Sequence, residues 1–348
     1  MSTADLPEPA APTSYPRGVH PDAARLERVR RAGERWLARP WPATPTSSLT
    51  GGGAIAALEE ELAAVVDPSG EASALLLPSA TYALRLALEA LGVGPGDEVV
   101  LPVLDWPASY AAVLSLGARP VLTAVDPGTL TLDVEAAARA RTRRTKAAVV
   151  CHLHGVPGDR AALREALDLP VVEDCAGALG SMLDGSHVGA DLGVFSLGPN
   201  KQLDCFEGGV LVTRDRALLD RAVMRSAHPL RQLLSGLDPD TVASDAFAMR
   251  PHPMTAILGL DLLAAWDGPA ARAAHRRAAD TAGHDAVAVL GVDGRRSNAA
   301  GEVPVLVADP GAGGARSGAR VLPCADRPDL ADRAGALLAR TRLVPVRG

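Results

Sequence analysis

Residues 194–212 read VFSLGPNKQLDCFEGGVLV, two short apolar runs on either side of a polar loop. The loop contains Lys201, and the only other lysine of the chain is Lys146, although arginine is abundant. On a wet surface Arg would serve as well as Lys, whereas only the amine of Lys can act as a nucleophile on a carbonyl group. We therefore expect a chemical role for Lys201, the alternative being an ordinary solvated lysine of a loop.

The chain on either side of this stretch alternates between strand-like and helical patterns. The strand-like runs are short and apolar: SALLLP (73–78), EVVLPV (98–103), RPVLTAV (119–125), KAAVVCHL (146–153), LPVVED (169–174), LGVFSL (192–197) and GGVLVTR (208–214). The helical patterns are AIAALEEELAAVV (54–66), TYALRLALEALG (81–92), SYAAVLSLG (109–117), LDVEAAARAR (132–141) and DRAALREAL (159–167). Apolar strands without alternation are covered on both faces, so the predicted fold is α/β, with a mainly parallel sheet and helices on both faces.

The composition changes at both ends of this region. Residues 1–48 are rich in proline around one helical stretch, DAARLERVRRAGERWLA (22–38), and are predicted to form an N-terminal arm. Residues 49–261 are predicted to form a large ligand-binding domain. From residue 262 to residue 348 the alternation fades into Ala/Arg-rich and Gly-rich sequence, which indicates a small C-terminal α/β domain.

Charge and cysteine usage exclude several classes of protein. A net charge of −6 and a pI near 5.8 argue against nucleic acid or an anionic membrane as a partner. The four cysteines (Cys151, Cys175, Cys205 and Cys324) are far apart and predict neither a disulfide framework nor a zinc knuckle. No apolar run reaches the roughly 18 residues of a membrane span. We expect a cytoplasmic protein that is not exported.

Ligands of parallel sheets bind at the carboxyl ends of the strands, so the residues after each apolar run are the candidates. Asp174 ends LPVVED, and a buried carboxylate there needs a cationic partner. The protonated pyridine nitrogen of pyridoxal phosphate is a suitable cation. The alternative is a carboxylate that caps the following turn.

Thr81 and Trp106 follow two other runs. Thr81 stands where a strand meets a helix, and helix N-termini bind phosphate, although Ser and Thr are also ordinary N-caps. Trp106 offers a flat ring on which a planar cofactor can stack, although a single Trp is more often part of the core.

Six segments together resemble the DegT/DnrJ/EryC1/StrS family of pyridoxal-phosphate-dependent sugar aminotransferases, which are fold-type-I enzymes. They are GPGDEVVLPVLDWPAS (94–109), GARPVLTAVDPGTLTLD (117–133), RTKAAVVCHLHGVPGD (144–159), LPVVEDCAGALGS (169–181), VGADLGVFSLGPNKQLDCFEGGVLVTRD (188–215) and MRPHPMTAILGLDLL (249–263). The resemblance runs from about Leu49 to Leu260. It implies a homodimer with its cofactor sites near the subunit interface.

Carried over by position, the resemblance assigns the residues of a pyridoxal 5'-phosphate site. Lys201 forms the Schiff base with the cofactor and then moves the proton, and Asp174 pairs with the pyridine nitrogen. Trp106 stacks on the ring. The phosphate is held by Ala80, Thr81 and Ser196.

Several positions depart from the family pattern. Gly177 stands where the family has Gln or His. Ser226 or Ala227 replaces an Asn that the family uses across the dimer, and Phe206 replaces a Gly. Arg250 is retained from an Asn-Tyr-Arg pattern whose Asn is Ala248 here. Candidate residues near the substrate are His152, His154, Gly177, Asn200 and Arg250.

The resemblance predicts transfer of an amino group from a donor such as Glu or Gln to a ketone or aldehyde, in specialised natural-product or amino-sugar biosynthesis. One alternative is another reaction of the same cofactor, such as elimination, replacement or carbon–carbon bond formation. A metal-dependent hydrolase is a remote alternative, with His152 and His154 on one face of a strand end and Asp174 or His187 as a further ligand. A non-catalytic binding protein of the same fold is another.

Overall fold

The computed structural model describes residues 23–38, 49–102, 105–126, 129, 131–198, 201–244, 246–266, 306–308 and 319–321. The strands are β1 Ser73–Leu77, β2 Glu98–Pro102, β3 Arg119–Thr123, β4 Thr145–Cys151, β5 Val171–Asp174, β6 Met182–Leu183, β7 Ser186–His187, β8 Leu192–Ser196, β9 Gly209–Thr213, β10 Leu306–Ala308 and β11 Ala319–Val321. The helices are α1 Ala23–Leu37, α2 Ala54–Val66, α3 Ala80–Ala90, α4 Pro107–Ser115, α5 Val134–Ala140, α6 Arg160–Leu167, α7 Arg216–Ser226, α8 Pro229–Leu234 and α9 Pro253–Ala264.

Seven strands form one sheet in the order β1-β9-β8-β5-β4-β2-β3. Strand β9 runs antiparallel to both of its neighbours, and the strands from β8 to β3 pair in parallel. All seven predicted strands and all five predicted helices are present, and the mainly parallel sheet is confirmed. The carboxyl ends of β8, β5, β4 and β2 therefore meet along one edge of the sheet.

Two layers of helices cover the sheet because successive strand residues point to opposite faces. Leu75 and Leu77 of β1 pack in one apolar cluster with α3, α4 and α7. Leu76, between them, packs in a second cluster with α2 and α9. This double burial explains why the strands lack a polar face.

The N-terminal helix α1 packs against α9. Ala32 is fully buried in the second cluster, and Arg35 forms an ion pair with Asp261 of α9. The boundaries of the arm and of the small C-terminal domain stay predictions. Beyond residue 266 the described part of the chain is β10 and β11, which form an antiparallel pair.

The sequence patterns missed the β6–β7 hairpin and helices α7 to α9. The predicted fourth strand, residues 146–153, also extends beyond the observed one. Strand β4 ends at Cys151, and residues Leu153–Gly155 form a 3-10 turn. Among the described residues no helix is long and apolar enough to cross a membrane.

At Gly209 the backbone of β9 packs closely against the backbone at the start of α3. A Cβ atom at Gly209 would lie 2.2 Å from the carbonyl carbon of Ser79 and 2.3 Å from the backbone nitrogen of Ala80. Backbone atoms cannot yield as a flexible side chain does. We expect Gly209→Ala to lower the free energy of unfolding by about 3 kcal/mol, measured by urea denaturation.

The matched control is Gly94→Ala, because a Cβ atom at Gly94 meets nothing within 4 Å. Its effect should stay within about 0.5 kcal/mol. Equal losses in the two variants would contradict the close contact between β9 and α3.

Candidate active site

The ends of β4, β5 and β8 place the first residues of the site. Asp174 is the last residue of β5, and it pairs in register with Cys151 of β4 and Val194 of β8. The backbone N–H of His152 donates to the carbonyl oxygen of Asp174 at 2.9 Å. The Asp174 carboxylate is thereby fixed at the middle of the sheet edge.

Asp174 is a buried carboxylate without an ion-pair partner among the described residues. Its Oδ1 accepts from the N–H of Ala176 at 2.9 Å, and its Oδ2 accepts from the Ser109 hydroxyl at 3.4 Å. Burial raises the pKa of Asp174, while the Ala176 N–H and the charge of Lys201 oppose the rise. A ligand that brings a cation to this carboxylate would relieve the cost of its burial.

Lys201 lies in the hairpin that joins β8 to β9. The hairpin is closed by the Cys205 N–H, which donates to Leu197 O at 2.8 Å, and by the Lys201 N–H, which donates to Gly198 O at 3.3 Å. Burial raises the pKa of both Asp174 and Cys151, and the charge of Lys201 opposes the rise at each of them. The sheet thus brings the predicted nucleophile and the predicted carboxylate into one site.

The N-terminus of α3 lies beside the same hairpin. Ser79 caps the helix by accepting from the Tyr82 N–H at 3.3 Å, and the backbone N–H groups of Ala80 and Thr81 lie at the helix end, where no earlier turn can accept from them. Ser196 pairs in register with Gly209, which touches Ala80. The Ser196 hydroxyl accepts from the Gly198 N–H at 3.2 Å. The two free N–H groups of the helix end are suited to a phosphate, and the role of all three residues as its donors stays a prediction.

Trp106 is the N-cap residue of α4 and is 54% exposed. One turn further along α4, Ser109 is buried and contacts Asp174. The same end of α4 therefore presents an open aromatic ring and a hydroxyl that orients the carboxylate. This placement fits the stacking role predicted for Trp106.

Asp105 is a site residue that the sequence reasoning missed. Its Oδ1 accepts from the Trp106 N–H at 2.6 Å, and its Oδ2 is buried without a hydrogen-bond partner among the described residues. Side-chain atoms of Asp105, Cys151 and Asp174 lie within 4.8 Å of one another. Burial and the charge of Asp174 raise the pKa of Asp105 to about 7. The strand-end rule that selected Trp106 applies equally to the residue before it.

His152 does not share a strand face with His154, because β4 ends at Cys151. The His152 ring is buried between two partners: Nδ1 accepts from the Gly158 N–H at 2.9 Å, and Nε2 lies 2.9 Å from Glu173 Oε2. Since Nδ1 is an acceptor, Nε2 carries the proton and donates to Glu173. The premise of the metal-dependent alternative was therefore wrong for His152, whose nitrogens are both engaged. The side chain of His154 lies outside the described residues.

Glu173 faces away from Asp174 and is fully partnered. Besides His152, it accepts from Arg160 at 2.8 Å, and Arg160 also lies 3.6 Å from Asp191. Burial opposes ionisation of Glu173, but the His152 hydrogen bond and the Arg160 charge outweigh it and lower its pKa. Glu173 thus has a structural role that anchors β5 and the turn after β4.

Two departures from the family pattern lie around the Lys201 hairpin. Gly177 accepts a hydrogen bond at its carbonyl oxygen from Gln202 Nε2 at 2.8 Å, so the residue after Lys201 ties the hairpin to the turn after β5. Phe206 has a left-handed backbone, φ 70°, and is 37% exposed. A bulky residue in this conformation is a genuine outlier. Asn200 lies outside the described residues.

Arg250 lines a cavity that does not include Lys201 or Asp174. It is exposed and lines this small cavity with Ser226, Ala227 and His228 at the side of β1. The Met249 N–H donates to Ser226 O at 3.0 Å, so the two altered segments are neighbours in space.

The residues described fit pyridoxal 5'-phosphate better than a metal ion. Asp174 lacks a cationic partner, α3 and Ser196 offer phosphate donors, and Lys201 can attach a carbonyl group. Asp105, Cys151 and Asp174 also form a donor set of metal-binding size, but the charge of Lys201 beside it disfavours a second cation.

Comparison with known proteins gives one family. A model described as the DegT/DnrJ/EryC1/StrS aminotransferase family matches residues 42–277. Residues 42–277 contain the whole sheet and every residue of the site. The match and the resemblance noted from the motifs agree.

Similar proteins include two curated enzymes. The L-glutamine:2-deoxy-scyllo-inosose aminotransferase of Streptomyces lividus is 47% identical over 157 residues, 44% of this chain and 37% of that protein. The UDP-N-acetyl-3-dehydro-alpha-D-glucosamine 3-aminotransferase of Acidithiobacillus ferrooxidans is 42% identical over 168 residues, 47% of this chain and 45% of that protein. The matched part of this chain thus spans less than half the length of either relative.

Among solved structures, DesV of S. venezuelae in complex with a ketimine intermediate is similar, with a TM-score of 0.60 and 32% identity. The match covers 78% of this chain and 70% of that one.

The Glu173 network gives a prediction for stability. Glu173→Gln leaves Arg160 and His152 without their carboxylate, so we expect the free energy of unfolding at pH 7 to fall by about 3 kcal/mol. Because the pKa of Glu173 is lowered by folding, its contribution is present above pH 4.5 and is lost as the pH falls below it. The gap between wild type and variant should therefore narrow in acid.

Glu165→Gln on the exposed face of α6 is the control for the same chemical change. It should leave the urea midpoint within about 0.5 kcal/mol of wild type at every pH. A gap between wild type and Glu173→Gln that does not change with pH would argue against an ionised Glu173.

Proposed function

Because this chain belongs to the DegT/DnrJ/EryC1/StrS aminotransferase family, we propose that it is a pyridoxal 5'-phosphate-dependent aminotransferase whose cofactor is attached to Lys201. One observation carries the proposal. The positive charge of Lys201 acts on Asp174, a buried carboxylate with no ion-pair partner among the described residues. This arrangement supplies an amine and an anion at the two ends of one binding site.

When bound, the cofactor supplies an aldehyde that carries the amino group and a pyridinium ring that acts as an electron sink. Asp174 holds the ring nitrogen in its protonated form, and Ser109 and the Ala176 N–H orient that carboxylate. Lys201 Nζ accepts and returns the proton that amino transfer requires. The exposed ring of Trp106 would stack on the cofactor's ring and shield it from water.

The phosphate is assigned to the N–H groups of Ala80 and Thr81 and to the Ser196 hydroxyl. Gly209 supports this assignment, because without a Cβ it lets β9 approach the start of α3. The positive end of the helix dipole adds to the attraction for a phosphate.

For the substrates we propose L-glutamine as the amino donor and a keto-cyclitol, a six-membered carbocyclic ketone bearing hydroxyl groups, as the acceptor. The support is the name of the Streptomyces relative and its 47% identity within the matched segment. The UDP-sugar relative has 42% identity, so a nucleotide-linked keto-sugar is the competing acceptor. Either acceptor belongs to natural-product or amino-sugar biosynthesis.

The assembly and location belong to the proposal as well. A homodimer is proposed from the family, with sites near the subunit interface. The exposed aromatic rings of Tyr82 and Trp106 beside the site are compatible with a nearby second subunit. Free, buried Cys151, Cys175 and Cys205 are compatible with a cytoplasmic protein.

Lys201→Ala tests the attachment. Wild type incubated with the cofactor and reduced with borohydride should gain a pyridoxyl group by intact mass, and Lys201→Ala should not, because no other described lysine lies in the site. Lys146→Ala, on the exposed second residue of β4, is the matched control and should label like wild type. Labelling of Lys201→Ala at the wild-type level would overturn the assignment.

The substrates are tested by isotope transfer. With glutamine labelled with ¹⁵N at the α-amino group, we expect label in the aminated keto-cyclitol at a rate at least tenfold above that with a nucleotide-linked keto-sugar. The reverse preference would move the acceptor to the competing class. Ammonia release without labelled acceptor, for any acceptor, would instead favour elimination and contradict amino transfer.

A further inference from the structure

The Asp105 carboxyl group has no role in the function proposed above. It lies just beyond β2, beside Cys151 at the end of β4, which in turn pairs with Asp174 at the end of β5. Three neighbouring strand ends therefore direct two carboxyl groups and a thiol to one point. Atoms of all three lie within 4.8 Å of one another.

Two carboxylates this close repel each other, and the surroundings do not neutralise both. The groups that face Asp105 are the Trp106 N–H and Ser109 of α4, Cys151 of β4 and Asp174 of β5. The basic groups that act on this cluster are Lys201 from the β8–β9 hairpin and His152, which follows β4. Asp105 Oδ2 is buried and has no hydrogen-bond partner among the described residues, so this oxygen is open to a proton.

We propose that Asp105 is a positioning residue that forms a proton-sharing carboxyl pair with Asp174, and that this pair, rather than Asp174 alone, receives the cofactor's ring nitrogen. With one proton between them, the two carboxyl groups carry a single negative charge, which matches one pyridinium. When the shared proton leaves, the pair carries two negative charges. The second charge stabilises the protonated ring nitrogen further and keeps it protonated to higher pH.

The apoprotein already tests the first half of this proposal. The pKa of Asp105 is raised by folding from 3.8 to about 7, so the folded state holds a proton that the unfolded chain has released. Stability should therefore fall as the pH rises through this interval. Asp105→Asn keeps an oxygen acceptor for the Trp106 N–H but cannot titrate. Burial still raises the pKa of Asp174 in the variant, so the fall of its urea midpoint with pH should be smaller than that of wild type without vanishing.

Asp168→Asn is the matched control. Asp168 is exposed, precedes β5 at the opposite end of the sheet, and has a left-handed backbone that Asn also adopts readily. Its midpoint should follow the wild-type pH dependence. If Asp105→Asn follows it too, the proton-sharing pair is refuted.

The protonated carboxyl group can also be detected in the wild-type protein, without any variant. Infrared spectroscopy of the apoprotein should show the C=O band of a buried protonated carboxyl group at pH 5.5 that is lost as the pH passes about 7. Absence of the band at pH 5.5 would overturn the proposal even if Asp105→Asn did not fold.

The second half rests on the proposed function and uses the holoprotein. With cofactor labelled with ¹⁵N in the ring, the nitrogen signal of wild type and Asp168→Asn should stay in the protonated range to a pH at least one unit higher than in Asp105→Asn. Identical titrations would refute the role toward the cofactor. Failure of wild type to take up the cofactor would contradict the proposed function itself, whereas the apoprotein experiments stand independently of it.

Discussion

The burial of two consecutive carboxylates at the end of β5 is the constraint on which the site depends. Successive strand residues point to opposite faces, so Glu173 and Asp174 cannot share partners. Glu173 is satisfied inside the chain by His152 and Arg160, and its pKa is lowered. Asp174 accepts from two neutral donors, the Ser109 hydroxyl and the Ala176 N–H, and burial raises its pKa although the charge of Lys201 opposes the rise. The fold therefore stabilises one charge completely and leaves the other for a ligand.

The β8–β9 hairpin connects the other parts of the site. Its first arm ends at Ser196, its loop carries Lys201, and its second arm begins at Gly209 against α3. Ser196 and Lys201 are thus two points on one closed loop, and Gly209 of the same loop brings in the start of α3. Because β9 is the antiparallel strand of the sheet, the chain reverses here and brings both points to the same edge.

The main sheet could be predicted from sequence because its strands are buried on both faces and leave a strong apolar signal, as in EVVLPV. Lys201 was selected because it is one of two lysines in an Arg-rich chain, and Asp174 because it ends a buried strand; the structure places Asp174 as expected, and the roles of both residues toward a cofactor stay predictions. Asp105 was missed because its significance depends on Cys151 and Asp174, which are distant in sequence and adjacent only after folding. The predicted end of β4 was wrong because His152 continues the apolar run in sequence. In the structure its ring forms hydrogen bonds with Glu173 and the Gly158 N–H, and the chain leaves the sheet at this residue.

Phe206 couples backbone strain to an exposed aromatic surface on the Lys201 hairpin. Its backbone adopts φ 70°, a conformation that Gly and Asn adopt more readily than a bulky residue. Its side chain is 37% exposed and stands five residues after Lys201 in the chain. A substitution that relaxes the backbone here therefore also removes an aromatic ring from the surface of the hairpin, so local strain and the apolar surface that the hairpin offers to a bound molecule cannot be changed separately.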